Sequence, residues 1–237
     1  MSTAPLGSGA MFDGIAPRYD LLNRVCSLGL DGRWRRALAR CLLDRTPRDG
    51  ELLDVATGTA DVALTLAGLR DDVQVFGVDP SPAMIEIGRQ KIADAVLEDR
   101  IHLEVGDGLA LPFAAGRFDG ACVSFGIRNF PDRLAGLREL ARVTRPGGLV
   151  AILELAEPRG ETLAQRAARL HVHHVVPRLG ALLSGSREYR YLQRSIAAFP
   201  AIPEFTAMMG EAGLQAVEAR PMTFGTVVLY VGVVPRA

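Results

Sequence analysis

Glu51-Leu52-Leu53-Asp54-Val55-Ala56-Thr57-Gly58-Thr59-Ala60-Asp61 is the stretch on which the fold turns. Its first half, Glu51–Ala56, is a short apolar run and reads as a strand; small residues at 56, 58 and 60 then make a tight turn into a helix over Ala60–Leu69. Working outward, Val73–Val78, Ile101–Val105, Phe118–Val123 and Leu149–Leu153 read as further strands, with helices at Pro82–Ala93 and Arg133–Val143 between them. Pro146-Gly147-Gly148 reads as a turn that ends one helix and opens the fifth strand. Strands alternating with helices of this length imply βαβ units and a mostly parallel sheet covered on both faces. Upstream, Asp31–Leu43 reads as an amphipathic helix: Trp34, Ala37, Leu38, Cys41 and Leu42 share one face, and Arg33, Arg36 and Arg40 another. Downstream, residues 160–212 carry helical spacing with no strand, and Gln215–Arg220 and Thr226–Val234 return to a β pattern. The expected plan is α/β and doubly wound, a seven-stranded mostly parallel sheet with an N-terminal helical arm and a helical insertion after strand five. Residues 1–10 are expected to form a flexible tail, and 11–237 a single domain.

Composition narrows the functions open to such a sheet. Of 237 residues, 49 % are hydrophobic and 23 % charged, with 27 basic against 27 acidic side chains and zero formal charge. A general nucleic-acid binder needs excess positive charge to displace counterions from phosphates, so that class is disfavoured. Only Lys91 among the 27 basic residues is lysine. Cys26, Cys41 and Cys122 lie far apart with no CxxC pair, which suits reduced thiols in a cytoplasmic protein. Met1–Ala10 has neither a cationic nor an apolar leader segment. Pro221–Pro235, the longest uncharged stretch, is too short for a membrane helix and reads as a core strand.

Three strand ends carry candidate chemistry. The Ala56–Ala60 turn lets a backbone approach a ligand closely, and the helix after it offers free N–H groups to an anion. It lacks the full GxGxxG pattern, and many such turns are steric only. Asp79 closes the second strand 25 residues after Asp54, where a carboxylate can accept from both hydroxyls of a ribose. Its bland alternative is capping of the helix that follows Asp79-Pro80-Ser81-Pro82, although Ser81 suffices for that. Asp107, in Val105-Gly106-Asp107-Gly108, can accept from an exocyclic amine at the third strand end or simply close a turn. Together the three describe a nucleoside laid across neighbouring strand ends.

That constellation resembles the class I methyltransferases, Rossmann-like enzymes that use S-adenosyl-L-methionine. Longer blocks resemble the ubiquinone/menaquinone biosynthesis C-methyltransferases in particular. They are Tyr19-Asp20-Leu21-Leu22-Asn23, Ser27-Leu28-Gly29-Leu30 with Arg33-Trp34-Arg35, Leu111-Pro112-Phe113, and Ser124-Phe125-Gly126-Ile127-Arg128-Asn129. Arg142-Val143-Thr144-Arg145-Pro146-Gly147-Gly148 follows, leading into Ile152-Leu153-Glu154, then His174-Val175-Val176-Pro177-Arg178-Leu179-Gly180, Tyr189-Arg190-Tyr191-Leu192 with Ser195-Ile196, and Thr223-Phe224-Gly225. The likeness spans roughly Met11 to Val234. It departs at Asp31, where His is usual, at Ala60, where Gly is usual, and at Thr144-Arg145, where Leu-Lys is common.

The resemblance implies S-adenosyl-L-methionine as cofactor, with Gly58 and Thr59 at its methionine portion, Asp79 on the ribose, Asp107 and Gly108 beside the adenine, and Ser124 near the methionine moiety. It implies C-methylation of a polyprenylated hydroquinone, demethylmenaquinol by overall likeness, with the benzoquinol step of ubiquinone synthesis as the alternative. A ring carbon becomes nucleophilic as its neighbouring hydroxyl ionises, which costs about 4 kcal/mol at neutral pH for a phenol of pKa near 10. One oxyanion donor is worth roughly 3–4 kcal/mol, and Arg128 is the candidate, its plain alternative being a salt-bridged arginine. His174, in the His171–His174 cluster, is the candidate proton relay; a metal site there is disfavoured because no acidic ligand lies nearby. A bilayer-resident substrate implies peripheral contact with the inner membrane surface, through Arg166, Arg169 and His173 or through Arg33, Arg36 and Arg40 beside Trp34, against the plainer reading of solvated helix faces. A methyltransferase for another hydrophobic acceptor, a nicotinamide oxidoreductase and a non-catalytic adenosyl-ligand binding protein are the competing readings. Thr57-Gly58-Thr59 and the C-terminal β pair speak against the second, and the oligomeric state stays open.

Overall fold

The computed structural model describes residues 9–157, 162 and 186–236. The chain first makes an arm of three helices, α1 (Gly9–Asp13), α2 (Ala16–Cys26) and α3 (Asp31–Leu43). Then β1 (Glu51–Val55), α4 (Asp61–Leu69), β2 (Gln74–Asp79), α5 (Pro82–Asp94) and β3 (Ile101–Val105) build outward in one direction. The chain returns to the other side of β1 with β4 (Phe118–Ser124), α6 (Arg133–Val143) and β5 (Thr144–Leu155). After α7 (Ser186–Ala197) and α8 (Ile202–Glu211) it closes with β6 (Gln215–Met222) and β7 (Val227–Val233). The sheet order is β3-β2-β1-β4-β5-β7-β6, parallel except at β7, which runs antiparallel to both neighbours. Of the tail expected over 1–10, residues 1–8 lie outside the described residues, and Gly9 and Ala10 instead begin α1; residues 158–161 and 163–185, which take in much of the expected insertion, also lie outside them.

Alternation along the strands divides the core into two layers. On β5, Leu149, Ala151 and Leu153 pack with Trp34, Leu38 and Leu42 of α3 and Ala63 and Leu66 of α4. Val150 and Ile152 point the other way, onto Leu137 and Leu140 of α6 and Phe205 and Met209 of α8. On β7, Val227, Leu229 and Val231 join the first layer, Val228 and Tyr230 the second. A one-residue slip would exchange the two faces of every strand, so both layers fix the register. On α3 Trp34, Leu38 and Leu42 of the expected stripe are buried and Ala37 and Cys41 half-buried, while Arg33, Arg36 and Arg40 stay exposed.

One expectation changes. Pro146-Gly147-Gly148 is not a turn ahead of the fifth strand, because β5 begins at Thr144, directly after α6. The three residues form an irregularity inside the ladder, which jumps from Phe118↔Thr144 to Gly120↔Leu149. Gly147 takes φ +82°, and a Cβ on Gly148 would lie 2.8 Å from the Asp119 carbonyl oxygen. Two glycines therefore let the backbone bulge while Gly147 N–H still donates to Val234 O at 2.8 Å.

The strand order reverses between β1 and β4, and their carboxyl ends open a crevice where doubly wound sheets bind ligands.

Candidate active site

The loop after β1 is wound tightly. Ala56, Gly58 and Ala60 all take positive φ, at 54°, 56° and 66°. Such conformations cost an L-residue about 1 kcal/mol or more, so the surroundings must hold Ala56 and Ala60 in place. Thr57 N–H donates to Val78 O at 3.1 Å, and Thr57 Oγ1 to Asp54 Oδ2 at 2.7 Å. Asp54 is buried beneath the loop and also accepts from Cys122 Sγ at 3.6 Å. Burial raises its carboxyl to about 7, with the Thr57 and Cys122 hydrogen bonds acting against the rise.

Asp79 connects two strand ends. Its Oδ2 accepts from Gly58 N–H at 2.8 Å and its Oδ1 from Ser81 N–H at 2.9 Å. Ser81 caps α5 through Met84 N–H at 3.2 Å, so Asp79 is not the cap. Burial pushes the Asp79 carboxyl above its ordinary value; the Ser81 and Gly58 amides oppose this and Asp13 adds to it. Each oxygen accepts one amide and retains a further lone pair for a ligand hydroxyl.

Asp107 is exposed at the turn after β3, with Oδ1 accepting from Leu109 N–H at 2.9 Å. Gly108 is buried against Phe130: a Cβ there would come within 2.6 Å of Phe130 Cζ. Ser124 closes β4, and its Oγ is buried with no hydrogen-bond partner among the described residues. The loop beyond it bends back on the first one, since a Cβ on Gly126 would stand 2.5 Å from Ala56 Cβ.

Arg128 is a buried ion-paired residue. Its Nη1 lies 2.8 Å from Glu154 Oε1 and also donates to Phe125 O, while its backbone N–H donates to Glu154 Oε2 at 3.2 Å. Its Nε is buried without a partner among the described residues. Two phenols lie in its field. Tyr19 and Tyr191 both have hydroxyls raised above the ordinary value, first by burial, with the Arg128 charge opposing in each case. Tyr191 donates to Asn129 Oδ1 at 2.8 Å. His174, with His171 and His173, lies outside the described residues.

Gly58, Thr59, Asp79 and Ser124 thus meet at the crevice with Arg128 behind them, and Asp107 and Gly108 sit at the neighbouring turn. Sequence reasoning placed no role on α2, yet Thr59 Oγ1 donates to Asp20 Oδ1 at 2.6 Å, and a Cβ on Gly58 would stand 3.8 Å from Tyr19 Cε1. The arm therefore covers the loop. Glu154, at the end of the Ile152-Leu153-Glu154 block, has no expected role either; its signal is a carboxylate closing a run of buried apolar residues.

A model of the ubiE/COQ5 methyltransferase family matches residues 7–234. A Geobacter sulfurreducens protein named ubiquinone/menaquinone biosynthesis C-methyltransferase UbiE is 43 % identical over 223 residues, covering 94 % of this chain and 86 % of that one. A Thermus thermophilus demethylmenaquinone methyltransferase is 44 % identical over 223 residues, covering 94 % and 99 %. A Deinococcus radiodurans protein of the same name is 44 % identical, covering 94 % and 90 %. Among solved structures, a phosphoethanolamine N-methyltransferase from Haemonchus contortus in complex with S-adenosyl-L-methionine superposes with a TM-score of 0.63 at 14 % identity, covering 84 % of this chain and 52 % of that one. A SAM-dependent methyltransferase from Aquifex aeolicus gives 0.59 at 14 %, covering 83 % and 89 %. At that identity the two likenesses speak for the fold alone.

Proposed function

This chain belongs to the ubiE/COQ5 methyltransferase family, and from that premise we propose that it methylates a ring carbon of a polyprenylated hydroquinone, demethylmenaquinol in the first instance. Relatives named demethylmenaquinone methyltransferase favour the naphthoquinol over the benzoquinol. The observation that carries the reading is the meeting of Gly58, Asp79 and Ser124 at the strand-order reversal, two of them joined by a 2.8 Å hydrogen bond.

The crevice fits S-adenosyl-L-methionine by its unused polar atoms. Asp79 retains acceptor capacity for two ribose hydroxyls, and the buried Ser124 Oγ lacks a partner among the described residues. Gly58 and Thr59 would border the methionine portion, and Asp107 and Gly108 the adenine. When bound, the cofactor supplies a methyl group on an electrophilic sulfonium.

The chain's own work is to orient the acceptor and ease ionisation of its hydroxyl. Arg128 supports an oxyanion through guanidinium donors other than Nη1, which is committed to Glu154; its Nε has no partner among the described residues. The Glu154 carboxylate cancels part of the guanidinium field, so the contribution is nearer one hydrogen bond than a full charge. That fits the roughly 3 kcal/mol one buried donor supplies. His174 remains the proposed proton relay.

A cleft of about 230 Å³ beside this cluster supports an isoprenoid substrate. Glu157 and the apolar Ile196, Ala197, Phe199, Ile202 and Pro221 are among the residues that line it, and Arg133, which donates to Arg128 O at 3.1 Å, stacks over the Phe199 ring. We place the membrane-facing side at α3, where Arg33, Arg36 and Arg40 are exposed. Phe224, 60 % exposed, stands beside Thr223, whose Oγ1 accepts from Trp34 Nε1 at 2.8 Å. No helix among the described residues is long and apolar enough to cross a bilayer.

The test is turnover of short-chain demethylmenaquinol and of the corresponding demethylated benzoquinol with methyl-labelled cofactor. Label in the naphthoquinol ring is expected; label in neither acceptor would overturn the proposal.

A further inference from the structure

In a chain whose other 26 basic residues are arginine, the single lysine occupies a hub. Lys91 Nζ, on α5, donates to Asp20 Oδ2 at 3.0 Å, to Thr59 Oγ1 at 3.2 Å and to Asp61 Oδ1. The three acceptors come from α2, from the loop after β1 and from the first turn of α4. Thr59 Oγ1 in turn donates a hydrogen bond to Asp20 Oδ1, and Arg35 holds the other Asp61 oxygen at 3.1 Å.

An ammonium spreads three donors around a tetrahedron and can serve three separate acceptors at once. A guanidinium spreads its donors in one plane and suits a single carboxylate or phosphate. The geometry of the hub therefore calls for lysine where the rest of the chain uses arginine.

We infer that Lys91 is a positioning residue for the cofactor: it fastens α2 across the β1 loop so that Tyr19 lies over Gly58 and closes the crevice. The inference rests on the reading that this crevice holds S-adenosyl-L-methionine. An isolated surface ion pair would do little, and Lys91, Asp20 and Asp61 are 27 %, 43 % and 29 % exposed. What distinguishes this one is convergence. One cation joins three segments, and without it Asp20 loses its cationic partner while Asp61 keeps only Arg35.

The test reads binding and closure separately on the full chain. Calorimetric titration with S-adenosylhomocysteine is expected to show at least tenfold weaker binding in Lys91→Met and at least fivefold in Lys91→Arg, which keeps the charge but not the three-way geometry. Wild-type affinity in Lys91→Arg overturns the three-point argument. Amide hydrogen exchange over residues 16–26 of the unliganded protein is expected to quicken in Lys91→Met, and unchanged exchange overturns the fastening of α2. A third measurement needs no variant. Lys91 is the only side-chain amine, so acylation by an N-hydroxysuccinimide ester, read at that residue by mass spectrometry, should slow at least tenfold with saturating S-adenosylhomocysteine. Equal rates overturn the closure. Absence of any wild-type binding counts against the cofactor reading, whereas the exchange comparison still decides the role of Lys91.

Discussion

Arg128 Nη1 stands 2.8 Å from Glu154 Oε1 in the interior, their side chains 8 % and 0 % exposed. Removing either partner strands a buried charge, which costs about 3–5 kcal/mol, whereas removing both does not. Urea unfolding should therefore show losses of about 3 kcal/mol or more in Arg128→Met and in Glu154→Gln, with the double variant less destabilised than the sum of the two. Additive losses would mean that the pair is not coupled.

The same pairing shapes the catalytic test. Arg128→Lys keeps a cation opposite Glu154 but deletes the planar guanidinium, including Nε, which has no partner among the described residues. Turnover is expected to fall by about 100-fold, as for loss of one oxyanion donor, while S-adenosylhomocysteine affinity changes by less than about threefold, under 1 kcal/mol. Steady-state kinetics alongside calorimetry decides; equal losses in both remove Arg128 from the oxyanion role.

Asp79→Ala takes away the proposed ribose acceptor together with the partner of the Gly58 and Ser81 amides. Cofactor binding should fall by at least 100-fold, consistent with loss of a charge-assisted acceptor worth about 1.5–3 kcal/mol and slackening of the loop. Wild-type affinity for S-adenosylhomocysteine in this variant would place the ribose elsewhere.

Asp54 gives a pH signature. Burial raises its folded pKa to about 7, above the usual carboxyl value of 3.8. The folded state thus holds its proton more tightly than the unfolded one. Its stabilising contribution is complete below about pH 4 and is lost as pH rises through about 7, a change of up to about 4 kcal/mol. Asp54→Asn should flatten the fall in stability across that window, which urea melts at pH 5 and pH 8 on both proteins will measure. Parallel profiles would mean that Asp54 titrates normally.

The cleft beside Phe199 can be probed by filling it. Ala197→Trp, at the end of α7, should raise KM for a long-chain quinol at least tenfold and leave that for a tail-less quinol within about twofold. Equal effects on both acceptors would remove the cleft from the path of the tail.

The sheet was legible because its signals are local. Leu149 to Leu153 alternates between two buried faces, and Ser81-Pro82 and Asp132-Arg133 announce the helices they precede. Gly58 and Asp79 stand out for the same reason, since one opens a turn and the other ends a strand, whereas Ser124 is reached only through the family resemblance. What stayed hidden depends on distant partners. Asp20 and Lys91 are 71 residues apart, and neither residue type announces which opposite charge it will meet. Arg128 and Glu154 are 26 apart on different elements, so burial of the arginine followed only once β4 and β5 were side by side. The bulge at Gly147 read as an ordinary turn because Pro-Gly-Gly has the same local preferences in either setting.

Gly126 meets Ala56 so closely that even a methyl group could not be inserted between them. The turn proposed to hold the coenzyme and the turn leading to Arg128 are therefore packed directly against each other rather than standing as two independent parts. A substitution that widens the turn before Arg128 is thus expected to shift the proposed nucleoside loop as well, whereas a change on α7 or α8 leaves that shared joint intact.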